Sequence, residues 1–222
     1  AGIITEVGKG VDKYNVGEEV CIQPLTYCGH CRFCLRGQEN YCNQIGILGE
    51  TQDGTHCEFI TVSESNVCSK PNHLSFEEAA AFPLTAQTAY SMLIRRAKIQ
   101  PGEIVFVWGA GSGVGIMAIE IAKVKGCQII TTGGSEAKRT HAKSIGADLV
   151  LDHYNDNVVD QVKEFTAGKG VDVVFEHVGE ATWKTSMKIL GKGGRLVTCG
   201  ATTGPKVNID VCRPNQEWRV DH

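Results

Sequence analysis

The chain has 222 residues, of which 42% are hydrophobic and 21% charged, and its formal net charge is -3. A chain of this composition can bury one large core or two modest cores, and its charge gives no electrostatic reason to expect a nucleic acid or an anionic membrane as partner. No apolar run approaches the ~18 residues of a membrane span, and the first residues resemble a strand and a turn rather than a signal peptide. We therefore expect a cytoplasmic protein. Because the chain starts within a strand pattern and without Met, we also expect an internal fragment.

Residues 1–70 are predicted to form short strands, because brief alternating runs are separated by Gly, Asp and Asn. The runs are Gly2–Val7, Val20–Ile22, Glu58–Val62 and Asn66–Cys68. This pattern is typical of a small barrel-like or sheet domain rather than a helical one.

A cysteine cluster with the spacing C-x2-C-x2-C-x7-C interrupts these strands. Its members are Cys28, Cys31, Cys34 and Cys42. Four thiolates at these spacings can surround one tetrahedral Zn²⁺, and such a metal would be structural because no position stays open. Disulfides would need an oxidising compartment. An iron–sulfur cluster of the ferredoxin kind would space its fourth cysteine as x3-C-P, and a redox pair would need only two cysteines. The pattern favours zinc over these three alternatives.

Three further residues of the cysteine loop have expected roles. Arg32 and Arg36 can offset the negative charge of a tetrathiolate site. His30 is expected to be a loop residue, because four cysteines already complete the ligand set.

After Pro71 the composition shifts towards helix. Ser75 is a predicted N-cap for a helix that reaches Phe82 and is broken at Pro83. A second, amphipathic helix is predicted over Thr85–Ala97, ending in two arginines that favour a helix C-terminus.

A glycine-rich turn lies between a predicted strand, Ile104–Trp108, and a predicted helix that Gly126 ends. The glycines are Gly109, Gly111, Gly113 and Gly115. Glycine allows a pyrophosphate to approach the backbone closely, and a helix N-terminus offers it unpaired N–H groups. The alternation G-x-G-x-G-x-G departs from the strict G-x-G-x-x-G fingerprint, and a flexible loop could have the same glycines. The flanking strand and helix therefore carry the prediction of nucleotide binding.

The alternation of strand and helix continues to the end of the chain. Further strands are predicted over Gln128–Thr131, Leu149–Leu151, Val171–Phe175 and Arg195–Thr198, and helices over Glu136–Ile145, Val158–Phe165 and Thr182–Leu190. Five apolar strands separated by helices predict an α/β fold with a doubly wound parallel sheet, covered on both faces. Such a sheet binds its ligand at the carboxyl ends of the strands.

The residues after the second strand of this sheet bear on the choice of nucleotide. Binders of NAD usually place Asp or Glu there for the ribose 2′-OH, whereas this chain has Thr131-Thr132-Gly133-Gly134-Ser135. Lys138 and Arg139 follow and could face a 2′-phosphate. The pattern favours NADP, and the alternative is that both cations are only solvated and either cofactor binds.

The cysteine loop followed by a glycine-turn α/β domain resembles the medium-chain dehydrogenase/reductase superfamily, which includes the zinc-containing alcohol dehydrogenases and the quinone oxidoreductases. The segments that carry the resemblance include CGHCRFCLRGQENYC, FEEAAAFPLTAQTAY, VFVWGAGSGVG, GVDVVFEHVG and GGRLVTCGATTG. The resemblance implies a partial GroES-like substrate domain over residues 1–84, an NAD(P)-binding Rossmann domain over 85–211 and an atypical tail over 212–222. It also implies a parent protein that assembles as a homo-oligomer.

The resemblance assigns site residues one by one. The four cysteines match structural zinc ligands, and the pyrophosphate turn corresponds to Gly109, Gly111, Ser112, Gly113, Val114 and Gly115. Residues matching the nicotinamide half of the site are Thr88, Val178 and the Cys199-Gly200-Ala201 turn. Ser135, Lys138 and Arg139 complete the expected cofactor residues.

Two departures from the family pattern affect the expected chemistry. Zinc alcohol dehydrogenases have a Cys or Asp catalytic ligand four residues before the threonine that Thr88 matches, and this chain has Leu84 there. The other catalytic zinc ligands of the family would lie before residue 1, in a Cys segment and a Gly-His-Glu segment. Only the end of the second segment, Ala1-Gly2, remains in this chain. The tail also lacks the pattern of the sixth strand and return helix that the family needs.

The sequence therefore predicts an NADP(H)-preferring oxidoreductase that transfers hydride between nicotinamide and a small carbonyl, quinone or activated alkene. The alternatives are an alcohol dehydrogenase with catalytic zinc and a fragment that only binds zinc and cofactor. We assign no catalytic acid to any of the four titratable candidates, which are His56, Tyr90, Glu176 and His177.

Overall fold

The computed structural model describes residues 1–209 and the strand Val220–Asp221. The chain divides into two compact units, Ala1–Leu84 and Thr85–His222.

The first unit is built from short strands around the cysteine loop. They are β1 (Gly2–Ile3), β2 (Glu19–Ile22), β3 (Leu25–Thr26), β4 (Gly46–Ile47) and β5 (Val67–Ser69). One antiparallel sheet has the order β1-β2-β5, and β3 pairs with β4. The β3–β4 pair holds the two ends of the segment that contains the four cysteines, so the loop is closed at its base.

The predicted strand over Glu58–Val62 is wrong. These residues have no strand pairing in the described part of the chain, and Phe59 is 74% exposed. The alternation of apolar and polar side chains predicted a half-buried strand, but alternation alone supplies no partner for the backbone groups.

The α-helices begin at residue 76, after three short 3₁₀-helices, Cys34–Arg36, Glu39–Tyr41 and Glu64–Asn66. Helix α1 (Phe76–Ala81) starts with a capping box in which Ser75 and Glu78 bond to each other's backbone N–H. Helix α2 (Pro83–Tyr90) continues into a π-helix, Ser91–Arg96. The first helix ends before Pro83, as expected, and Pro83 is the first residue of α2. Proline suits this position because its missing N–H needs no partner there.

The second unit alternates strands and helices. Its strands are β6 (Ile104–Val107), β7 (Gln128–Thr132), β8 (Leu149–Leu151), β9 (Val171–Glu176), β10 (Leu190–Thr198) and β11 (Val220–Asp221). Its later helices are α3 (Gly113–Val124), α4 (Glu136–Ser144), α5 (Val158–Phe165) and α6 (Glu180–Ile189). The six strands are parallel in the order β11-β10-β9-β6-β7-β8. The predicted doubly wound sheet is confirmed, and its strand order reverses between β6 and β9.

Two features of the sheet differ from the prediction. Strand β10 begins at Leu190, where a helix end was expected, and its register with β9 shifts between Leu190 and Arg195. The tail supplies a sixth strand, since Val220 pairs with Leu196. Backbone pairing at an edge needs no apolar pattern, so the polar tail gave no signal for it.

The core lies on both faces of this sheet. Val105 and Val107 pack with Ile119 of α3 on one face, while Phe106 packs with Val162 of α5 on the other. All five side chains are buried with zero exposure. Because successive side chains of a strand point to opposite faces, a strand covered on both sides is apolar at every position, as β6 is.

Among the described residues, no helix has both the length and the apolar character needed to cross a membrane.

Candidate cofactor and metal sites

The four cysteine sulfurs of the first unit converge on one point. Their Sγ atoms all lie within 4.8 Å of one another. Cys28 lies 3.9 Å from Cys34 and 3.6 Å from Cys42, and Cys31 lies 3.5 Å from Cys34. A tetrahedron with Zn–S bonds of ~2.3 Å has S–S edges of roughly 3.8 Å. The cysteine cluster therefore fits a structural zinc.

Backbone N–H groups point at these sulfurs and favour their charged form. Cys28 N donates to Cys42 Sγ at 3.4 Å, Cys31 N to Cys28 Sγ at 3.4 Å, and Gln44 N to Cys42 Sγ at 3.3 Å. The backbone N–H of Cys34 lowers the pKa of Cys31 to about 6, and that of Cys28 lowers the pKa of Cys42. Burial raises the pKa of Cys34 to about 12. A bound divalent cation would favour the deprotonated thiolate of Cys34.

His30 is a loop residue, as expected. Its Nδ1 lies 2.8 Å from the carbonyl oxygen of Cys28, and because a carbonyl only accepts, the ring donates this hydrogen bond. The guanidinium of Arg32 stacks 4.6 Å from the ring centre of Phe33. Both residues shape the loop without joining the cluster of four sulfurs.

The glycine turn connects the end of β6 to helix α3. Gly109 has a φ of +64°, which favours glycine, and its N–H donates to Thr132 Oγ1 at 3.1 Å. Ala110 N donates to Thr132 O at 2.8 Å. Ser112 caps α3, since its Oγ accepts from Gly115 N and donates to Gly109 O, both at 3.0 Å. The turn is thus fixed to the end of β7 and to its own helix.

A Cβ would make a close contact at three of the glycines, with backbone at Gly115 and with side-chain atoms at Gly111 and Gly113. A Cβ at Gly115 would lie 2.5 Å from the carbonyl oxygen of Gly109, and one at Gly111 would lie 2.5 Å from Lys138 Cδ. A Cβ at Gly113 would lie 2.9 Å from Thr85 Cγ2. Gly115 therefore allows the turn to pack closely on its helix, as in sites that bind a pyrophosphate, whereas the long side chain of Lys138 is able to move away from a Cβ at Gly111.

A cavity of about 490 Å³ opens at the carboxyl ends of the central strands. It is lined by Trp108, Gly109, Thr132, His153, Tyr154, Asp156, Asn157, Val158, Val159, Val178, Ala181, Thr182, Thr185 and Thr203. Its position beside the glycine turn, next to the β6–β9 reversal, is where doubly wound sheets bind nucleotides, and its volume suits a nucleoside.

One wall of the cavity is organised by a buried carboxylate, Glu176, which has zero exposure. Its Oε1 accepts from Val178 N at 2.7 Å and Gly179 N at 3.1 Å, and the single hydroxyl proton of Thr182, whose Oγ1 lies 3.0 Å from both oxygens, is donated to the carboxylate. Ser186 Oγ donates to Oε2 at 2.6 Å and itself accepts from Trp108 Nε1 at 2.8 Å. Glu176 therefore holds the turn between β9 and α6 rather than facing a substrate.

His177 is also engaged with the glycine turn. Its Nε2 lies 2.8 Å from Trp108 O and 3.4 Å from Ser112 Oγ. Because the carbonyl can only accept, Nε2 carries the proton of this hydrogen bond. The imidazole supports the turn from the β9 side.

The residues expected to select the nucleotide lie on α4. Ser135 is its N-cap and accepts from Lys138 N at 3.4 Å. Arg139 Nη1 donates to Gly133 O at 3.0 Å and forms an ion pair with Asp152 at 2.8 Å. Lys138 lies across Gly111, and it has no ion pair with any described residue. Of the two cations, only Lys138 therefore has an uncommitted charge.

Other predicted residues lie around the same strand ends. Val178 lines the cavity, and Cys199 N donates to Glu176 O at 3.2 Å. A Cβ at Gly200 would lie 3.1 Å from His177 O. Thr88 lies in α2.

Sequence reasoning missed His153 and Tyr154, which line the cavity just after β8. The rule that ligands bind at the carboxyl ends of parallel strands could have found them, because they follow the correctly predicted strand Leu149–Leu151.

Two family profiles match most of the chain. The alcohol dehydrogenase GroES-like domain matches residues 1–72, and the zinc-binding dehydrogenase family matches residues 113–217.

Relatives with known names are similar over nearly the whole chain. An alcohol dehydrogenase of Geobacillus stearothermophilus is 36% identical, with 90% of this chain and 58% of the relative covered. A quinone oxidoreductase of Salmonella typhimurium is 29% identical, with 98% and 58% covered. A crystal structure of an NAD-dependent alcohol dehydrogenase has a TM-score of 0.89 at 42% identity, with 92% of this chain and 60% of that chain covered. The chain spans a little more than half the length of the proteins it matches.

Proposed function

Because the chain belongs to the medium-chain dehydrogenase/reductase superfamily, we propose that the protein is an NADP(H)-preferring oxidoreductase. It transfers hydride between nicotinamide and a small carbonyl, quinone or activated alkene. The substrate class is supported by the apolar Leu84, which stands where zinc alcohol dehydrogenases have a catalytic zinc ligand. The preference for NADP is supported by the residues at the strand ends of the second unit.

The observation that carries the cofactor preference is the chemistry at the end of β7. Thr132 already accepts from the glycine turn, and Gly133 and Gly134 follow it, so no carboxylate is available there for a ribose 2′-OH. The uncommitted ammonium of Lys138 lies beside the turn instead. A 2′-phosphate on the ribose would therefore lie near the ammonium of Lys138, whereas an NAD binder usually has a carboxylate near this position.

The residues of the turn position the cofactor and exclude water. Unpaired N–H groups at the start of α3 favour the pyrophosphate, and Ser112 and His177 hold the turn in place. When bound, the nicotinamide supplies the hydride. The protein's contribution is to fix the two reacting carbons at the right distance and orientation.

The cofactor preference is tested by the dissociation constants of NADPH and NADH, measured by fluorescence titration. We expect NADPH to bind at least roughly tenfold more tightly, because a charge-assisted contact to phosphate contributes on the order of 1.5–3 kcal/mol. Lys138→Ala should remove most of this preference, whereas Lys143→Ala, on an exposed part of the same helix, should keep it. Equal affinities in the wild type would reject the preference for NADP.

The metal content tests the reaction without catalytic zinc. A leucine side chain cannot ligate metal, so the full-length protein should contain one zinc per chain, held by the four cysteines. Two zinc atoms per chain by elemental analysis would reject this reading.

A second candidate is an NAD-dependent alcohol dehydrogenase with a catalytic zinc, favoured by the name of the structure that is 42% identical. In that enzyme Zn²⁺ would act as a Lewis acid on the alcohol oxygen. NAD-dependent oxidation of a small alcohol, together with two zinc atoms per chain, would support it. Cofactor binding without turnover of any aldehyde, alcohol or quinone would instead indicate a binding function alone.

A further inference from the structure

Two aromatic side chains, His153 and Tyr154, stand on the β8 side of the cavity and have no role in the proposed function so far. Their ring centres are 4.3 Å apart with an interplanar angle of 67°. Both lie over Gly134, where a Cβ would be 2.9 Å from His153 Nε2 and 2.7 Å from Tyr154 Cε2. The imidazole nitrogen therefore faces the turn after β7, the place where a ribose 2′ substituent lies in this type of sheet.

The charges around His153 come from two elements. Lys138 and Arg139 face it from α4, and Asp152 precedes it in its own loop. Arg139 is paired with Asp152, and the carboxylate of Asp156 accepts from Asp152 N at 2.7 Å. The ion pair neutralises the charge of Arg139, so Lys138 and the imidazole of His153 are the groups that can bind an anion here.

We propose that His153 is a specificity residue for NADP whose imidazolium joins Lys138 in binding the 2′-phosphate, so that the preference for NADP over NAD increases as the pH falls from about 8 to about 6. This inference rests on the proposed NADP preference. It adds a pH dependence that Lys138 alone cannot produce, because an ammonium keeps its charge over this range.

The direction of this pH dependence follows from the linkage between proton binding at His153 and cofactor binding. Burial is the largest cause that lowers the pKa of His153; Asp152 opposes it, and the charges of Lys138 and Arg139 add to the lowering, so the neutral imidazole is favoured in the free protein. A phosphate placed beside the ring favours the charged form and draws a proton onto it. NADP should therefore bind with proton uptake at His153, and NAD should bind without it.

The phosphate also titrates, with a second pKa near ~6, and loses its proton on meeting a cation. This opposite effect occurs in any NADP complex. His153→Gln isolates the histidine because it keeps a polar side chain of similar length that cannot ionise. His141→Gln is the matched control, since His141 is exposed on α4 and does not line the cavity.

The experiment is isothermal titration calorimetry of the protein and both variants with NADP⁺ and NAD⁺, oxidised forms that tolerate acid. Titrations at about pH 6, 7 and 8 in buffers of different ionisation enthalpy give affinities and proton uptake. Relative to His153→Gln, the wild type and His141→Gln should gain about fivefold to tenfold in NADP preference between pH 8 and pH 6. Circular dichroism and zinc content check that each variant is folded.

Each result has one consequence. A wild type that prefers NADP with the same pH dependence and proton uptake as His153→Gln would overturn the role of His153 and leave the proposed function standing. A wild type that binds NADP no better than NAD at any pH, or binds neither, would overturn the NADP preference and this inference together.

Discussion

At the scale of single residues, each cysteine of the cluster supplies one corner of a tetrahedron. The unit around it has only short strands, two to four residues long, so little apolar surface is buried there. A small unit with such a limited core commonly depends on a metal for stability. We therefore expect the four sulfurs to contribute to the stability of this unit through a bound metal.

Replacing Cys31 with Ser should release the zinc and lower the melting temperature by roughly 5 °C or more, because a hydroxyl is a poor substitute for a thiolate ligand. Zinc is measured by elemental analysis and stability by differential scanning calorimetry. Cys68→Ser is the control, since Cys68 is exposed and outside the cluster. Retention of zinc and of the wild-type melting temperature by Cys31→Ser would disprove the ligand assignment.

Replacing Gly115 with Ala tests the close packing of the glycine turn. The new Cβ would stand 2.5 Å from Gly109 O, so the turn must shift, and we expect cofactor affinity to fall by roughly tenfold or more. Fluorescence titration with NADPH measures the effect. Gly2→Ala, where a Cβ meets nothing within 4 Å, should bind as the wild type does. An unchanged affinity in Gly115→Ala would show that the turn does not contact the cofactor closely.

At the scale of elements, the turn between β9 and α6 is held by one buried carboxylate. Gly179 has a φ of +93°, and the two backbone N–H groups at residues 178 and 179 point to the carboxylate of Glu176. Hydroxyl groups of Thr182 and Ser186 complete its coordination from α6. One side chain thus joins the end of a strand to the first two turns of the next helix.

Glu176→Gln should destabilise this element, because the amide places its N–H₂ group among donors that need an acceptor. We expect a loss of about 1–3 kcal/mol in the free energy of unfolding. Urea denaturation followed by circular dichroism measures it, and Glu120→Gln, at an exposed position of α3, is the control. A loss no larger than that of the control would show that the carboxylate is not needed as an acceptor.

The elements of the second unit were predictable from the sequence because burial on both faces leaves an uninterrupted apolar run. Strand β8 was predicted with its observed bounds, and β6, β7 and β9 within one residue. The start of β10 was not predictable, because 190–194 contain three glycines and the helix pattern extends into Leu190. The π-helix at Ser91–Arg96 was missed as well, since its hydrogen-bond shift leaves no trace in apolar spacing.

At the scale of the whole molecule, the cysteine spacing and the strand–helix alternation predicted two different kinds of architecture in one chain. Both were found, an antiparallel first unit and a parallel second unit. Local spacing predicts ligands supplied by one loop, such as the four sulfurs. It does not predict which distant residues meet at a strand end. Glu176 could therefore not be recognised as a support for Trp108, because the link runs through Ser186, which lies 10 positions after Glu176 and 78 positions after Trp108.

The hydrogen bond from Trp108 to Ser186 fixes an indole at the cavity wall, so its fluorescence should report on cofactor binding. The indole lines the space and its Nε1 is fixed by the hydroxyl that also touches Glu176. Tryptophan emission overlaps the absorption of reduced nicotinamide, so cofactor binding should quench this fluorescence by energy transfer. Because Trp183 is buried in the same apolar cluster as Trp108, both indoles should transfer energy, and Trp108→Phe should reduce the quenching without abolishing it. Stopped-flow fluorescence can follow this signal in real time. Occupancy of the site would then be measurable without any added dye.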